Sequence, residues 1–128
     1  MLKFIGICAQ VEETVSFIYT EFAKNPKSDQ RLKAIWEKMA RDEMDHCQQL
    51  RFVMRMPLNE TLEQGDAQDG PDPAVLLARA AGLLEEAKQT PFTVLKMLQA
   101  AVELEKDFLK IHASYALNLK TKELKNTF

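Results

Sequence analysis

The stretch Trp36–Leu50, WEKMARDEMDHCQQL, decides the fold. Trp36, Met39 and Leu50 recur at helical spacing, and Leu32, Ile35 and Val53 extend the same stripe on either side. A helix is therefore expected across the whole segment. The stripe also contains Glu43 and His46, three residues apart, while Asp42 sits at its edge and Asp45 lies well outside it. A carboxylate and an imidazole one turn apart on an inward face can bind one ion.

Working outward, the helix begins near Ser28-Asp29, which supply cap chemistry, and stops near Met56 before Pro57. A preceding helix runs from about 2 to 23 and ends at Asn25-Pro26, because a residue before proline is biased away from helical angles. The segment from Asn59 to Pro73, NETLEQGDAQDGPDP, is polar and rich in turn formers, and is expected to be an exposed loop. Asp72-Pro73 then reads as an N-cap followed by proline at the first helical position, opening a shorter helix to about 87. Thr90-Pro91 repeats that signal and opens a third long helix over about 91–119. Strong helix formers dominate and β-branched runs are missing, so the chain is expected to be one all-α domain over residues 1–128. A tight turn followed by a crossover of some thirty residues matches the connectivity of ferritin-like up-down bundles.

Charge and composition remove several classes of function. The 17 basic and 19 acidic residues are interspersed and the net charge is −2, which argues against a nucleic-acid partner. The start, MLKFIGICAQVEE, reaches Glu12 and Glu13 too soon for a signal peptide, and nothing approaches a membrane span. Cys8 and Cys47 form no CxxC pair, and two sparse thiols suit a reducing cytoplasm. They are expected to be inert and buried, although their placement one turn from Glu12 and Glu43 leaves a disulfide or a metal contact open.

Each long helix carries a carboxylate inside its apolar stripe. Around Val15, residues Phe4, Cys8, Val11, Ile18 and Phe22 share a face with Glu12 and Tyr19, whereas Glu13 points away. In the third long helix Val94, Leu98, Ala101, Val102, Phe108 and Leu109 surround Glu105, and Glu103 faces the other way. A lone Glu-x-x-His is commonplace on a solvated helix. Three inward carboxylates and a histidine at mid-length are not, since ionised carboxylates in a core must be protonated, paired or bound to a cation. No lysine or arginine falls near the middle of these stripes. A metal is the remaining common compensator, and oxygen-rich sites with few imidazoles favour iron or manganese over structural zinc.

The chain also resembles itself. VEETVSFIY (Val11–Tyr19) aligns with LEKDFLKIH (Leu104–His112), pairing Glu12 with Glu105 and Tyr19 with His112. DQRLKAIW (Asp29–Trp36) aligns with TKELKNTF (Thr121–Phe128), so counterparts of Glu43 and His46 are expected just beyond Phe128. A fourth bundle helix is thus expected to be truncated or absent. His112 is expected to be a core histidine, being about two turns from Glu105 along the helix axis.

Glu12-x6-Tyr19, then W-x-x-M-A-x-D-E-x-x-H from Trp36 to His46, then AVELEKDF from Ala101 to Phe108, together resemble the rubrerythrin-like branch of the ferritin-like superfamily. The resemblance covers the three long helices. It implies a dinuclear iron site built from two glutamates and two Glu-x-x-His pairs, acting in peroxide- or oxygen-linked oxidation or in ferrous-iron oxidation. Position by position, Glu12 and Glu105 match the single glutamates, and Glu43 and His46 match the first Glu-x-x-His; Tyr19 is the nearby hydrogen-bonding group. The second Glu-x-x-His is not present, and His112 stands where the repeat expects tyrosine. The family's rubredoxin-like electron-transfer module is likewise not among these residues, so an external electron donor protein is implied. The alternative expectation is a ferritin-like assembly or partner-binding module with a vestigial site. Three amphipathic helices lacking a fourth predict homodimerisation or exchange of helices between chains.

Overall fold

The structure, a computed structural model, describes residues 2–56 and 72–121, with side chains over 3–56 and 72–111. Most of the expected polar loop (residues 59–71), the His112 side chain and residues 122–128 lie outside the described residues.

The described chain is all-α, with helices α1 (Leu2–Lys24), α2 (Gln30–Met54), α3 (Pro73–Gln89) and α4 (Val94–Thr121). Local chemistry sets the boundaries. Asp29 caps α2, its carboxylate accepting from Leu32 N at 2.8 Å. Asp72 caps α3 in the same way, accepting from Ala74 N, with Pro73 in the first turn. The start of α4 differs from expectation. Thr90 is extended, and Thr93 is the residue whose hydroxyl accepts from Lys96 N at 3.1 Å, so the helix begins at Val94 rather than Pro91. The displaced segment drops Phe92 into the core, where it is 3% exposed and packs on Phe22 with ring centroids 5.7 Å apart.

The link between α1 and α2 is held by side chains. Asn25 Nδ2 donates to Phe92 O at 3.0 Å, tying the end of α1 to the segment that opens α4, while Asn25 Oδ1 accepts from Lys27 N. Ser28 Oγ donates to Phe22 O at 2.8 Å. Helices α1 and α2 run antiparallel: Ser16 Oγ donates to Ala40 O at 2.7 Å, Glu13 meets Arg51 nearer the start of α1, and Met54 lies beside Gly6. Helix α4 also opposes α1, since Phe92 sits by Asn25 and Glu105 by Tyr19. Helices α2 and α4 therefore point the same way. Helix α3 packs on α1 through Leu76 and Ala80, and Arg79 meets Asp107 on α4.

The core centres on α1. Val11, Val15, Ile18, Tyr19 and Phe22 are buried against Trp36 from α2 and Met97, Leu104 and Phe108 from α4. Trp36 stacks on Tyr19 at 5.6 Å and meets Phe22 edge-on at 5.1 Å. Each such ring pair contributes about 0.5–1.5 kcal/mol beyond its buried area. One side of the assembly departs from the expected stripes. Ile35 on α2 and Leu98, Val102 and Leu109 on α4 are exposed, because α1 covers only part of each apolar stripe and no described element covers the rest.

Candidate metal centre

Helical spacing brings the expected residues to one level. Glu12 on α1 is fully buried, Glu43 on α2 is 5% exposed, and Glu105 on α4 is half-buried. Glu13, one residue from Glu12, lies outside and pairs with Arg51 at 3.4 Å. His46 is a correction to the inward placement: its side chain is 46% exposed. It stands at the rim because its direction on α2 leans away from α1, and the ring reaches back to the centre. Nδ1 lies 3.3 Å from Glu12 Oε2 and 3.7 Å from Glu43 Oε2.

The carboxylates are linked to one another. Tyr19 O–H donates to Glu105 Oε1 at 2.9 Å, and Glu43 shares a side-chain hydrogen bond with Glu105. Burial, followed by the charges of Glu12 and Glu105, pushes the Glu43 carboxyl up to about 9. At neutral pH it is therefore protonated, and its proton serves the bond to Glu105. Burial and the Glu105 carboxylate also raise the Tyr19 phenol, which keeps it a donor. Glu43 Oε2 is buried without a hydrogen-bond partner among the described residues. An acceptor oxygen held in that condition is costly unless a cation or proton compensates it.

One ligand atom each from Glu12, Glu43 and His46 can be chosen so that all lie within 4.8 Å of one another. Ligands about 2.0–2.2 Å from a common ion sit at most about 4.4 Å apart, so side-chain adjustments of a few tenths of an ångström bring this set around a single ion. Two carboxylates and an imidazole suit a first-row divalent metal. Glu105 belongs to the same network through Glu43 and Tyr19. Lys24, Lys38, Arg51, Arg79, Lys88 and Lys96 pair with carboxylates outside the centre: Glu21, Asp42, Glu13, Asp107, Glu85 and Glu86. Asp42 pairs with Lys38 at 2.8 Å, and that bond lowers its carboxyl.

Both cysteines are free and buried. Burial, then the nearby Glu12 charge, pushes the Cys8 thiol up to about 12, and burial also raises Cys47, so both behave as inert apolar side chains. Two positioning contacts escape the sequence reading, which marks Asn25 only as the end of a helix and does not single out Ser16. Ser16, one turn after Glu12 on the same stripe, pins α1 to α2, and Asn25 pins α1 to the α4 entry. The available signals were a small polar residue within an apolar stripe and an asparagine before proline. No known protein family, curated protein or solved structure matches this chain.

Proposed function

We propose that the chain is a rubrerythrin-like member of the ferritin-like superfamily. It holds iron, or manganese in its place, at Glu12, Glu43, His46 and Glu105, and acts in peroxide- or oxygen-linked oxidation or in ferrous-iron oxidation. The observation that carries this proposal is the meeting of three carboxylates, from three helices, beside one imidazole; burial and the Glu12 and Glu105 charges, which raise the Glu43 carboxyl, accord with a place for a cation. Iron, when bound, supplies the redox chemistry and polarises a small oxidant.

The chain's own residues have separable tasks. Glu43 gives up its proton on loading, so metal uptake releases a proton at neutral pH. Tyr19 holds Glu105 Oε1 through its O–H and fixes the direction of the remaining oxygen. The half-exposed His46 leaves the centre reachable from one side, while Val11, Val15 and Cys8 exclude water on the other. Electrons come from an external donor protein.

The test is metal analysis of protein purified with ferrous iron, followed by peroxide and dioxygen turnover. The expected result is stoichiometric metal and oxidation above the buffer rate, both lost in Glu12→Ala. Absence of bound metal together with oxidation at the buffer rate refutes the proposal.

A further inference from the structure

Two apolar seams border the face opposite α1. On α4, Leu95, Leu98, Val102 and Leu109 are exposed, and they follow alternating steps of three and four with Glu105 in the same line. On α2, Leu32, Ile35, Met39, His46 and Val53 follow the same rhythm and are half-buried or exposed. At about 100° per residue, the α4 seam lies about 20–80° to one side of Glu105, and the α2 seam about 20–80° to the opposite side of Glu43. Because α2 and α4 are parallel and both flank α1, these opposite offsets turn both seams toward the same side. His46 and the half-buried Glu105 stand on that side. Whatever covers the seams therefore covers the open edge of the centre.

We propose that a second copy of this chain covers this face, with α2 of each copy lying parallel along α4 of the other about a two-fold axis. Three observations favour a second copy. First, the seams match each other. Glu43 and Glu105 stand at one level, so a two-fold axis parallel to the helices sets Leu32 opposite Leu95, Ile35 opposite Leu98, Met39 opposite Val102 and His46 opposite Leu109. Second, the flanks carry opposite charge near the level of the centre: Asp45 beside the α2 seam, and Lys106 with Lys110 one turn further on beside the α4 seam, Asp42 being already paired with Lys38. Third, the face is large enough. Two neighbouring helices over 20–30 Å of length bury on the order of 1,000–1,500 Å² when doubled, within reach of a stable pair. Residues 57–71 contain only Leu58 and Leu62 as large apolar side chains, too few to match a seam about 21 Å long. In the pair, the second copy covers the open edge of the centre at His46 and Glu105. That closure rests on the metal-binding proposal; the pairing of faces does not.

The deciding experiment is sedimentation velocity of the metal-free chain from 5 to 200 μM. A dimer is expected, converted to monomer with retained helical circular dichroism by Val102→Lys or Ile35→Lys, and kept by Val75→Lys on the exposed side of α3. Lys106→Asp is expected to weaken the dimer at least threefold, and addition of Asp45→Lys to restore it. A monomer throughout, a dimer indifferent to both seam variants, or a charge pair without rescue overturns the proposal. Cobalt(II) titration then separates the two ideas. Dimeric protein should bind at least tenfold more tightly than the monomeric Val102→Lys variant. Equal affinity overturns the closure of the centre by the second copy, whereas dimers that bind no cobalt leave the pairing standing and remove the metal site.

Discussion

Replacing Glu43 by glutamine should flatten the pH dependence of stability of the metal-free protein. The folded-state carboxyl is raised from an ordinary 4.5 to about 9 by burial and by Glu12 and Glu105. Between those values the unfolded chain has lost the proton and the folded chain keeps it, so the unfolded state binds fewer protons and stability falls as pH rises. The stabilisation is complete below about pH 4.5 and is lost progressively toward pH 9. The limiting slope is about 1.4 kcal/mol per pH unit, giving a ceiling of about 3.4 kcal/mol between pH 5.5 and 8. Water at the His46 rim and relaxation of the neighbouring carboxylates reduce this to about 2 kcal/mol, or roughly 8 °C in Tm for a domain of this size. The glutamine side chain keeps a donor for Glu105 but has nothing to titrate. The assay is urea and thermal unfolding by circular dichroism with chelator present, on wild type and Glu43→Gln at four pH values. Titrations common to both proteins cancel in the difference. With millimolar manganese the wild-type trend should reverse, since binding requires the deprotonated carboxylate. Parallel curves for the two metal-free proteins, within about 0.5 kcal/mol, refute the assignment of a buried proton to Glu43.

Glu12→Ala should abolish metal binding in equilibrium dialysis, whereas Glu13→Ala, which removes only the exposed pair with Arg51, should leave it intact and cost less than about 1 kcal/mol. Tyr19→Phe should lose about 1–2 kcal/mol in urea unfolding through its bond to Glu105, and should change the visible spectrum of a cobalt-loaded centre without abolishing binding; an unchanged spectrum contradicts the orienting role. Asn25→Ala leaves Phe92 O without its buried donor and should cost about 1–3 kcal/mol, with faster amide exchange at the start of α4 as the local signature.

Much of the fold is legible because helix ends are written in short-range chemistry. Asp29, and Asp72 with Pro73, cap their helices through their own side chains within one turn, so boundaries drawn from residue type agree with the structure to within a residue or two. The α4 start fails for the opposite reason. Thr90-Pro91 and Thr93 are both plausible caps, and the choice between them is made by Phe92, whose burial against Phe22 forces an extended approach before the helix can open. A contact spanning seventy residues decides there what local chemistry leaves undecided.

The centre shows the same division more sharply. Glu12 and Glu43 could be located from periodicity because their apolar neighbours turn toward α1, the element that covers them. His46 and the line of Leu98, Val102 and Leu109 were assigned inward by the same rule, yet α1 does not reach them. An apolar stripe states how much surface has to leave water; it does not state which molecule removes it. A helix whose apolar arc is wider than one neighbour can cover needs a second neighbour. On both α2 and α4 the surplus arc lies on the side away from α1, and on both it borders a residue of the centre. Completion of the apolar core and closure of the site are thus one structural requirement, met by whatever occupies that face.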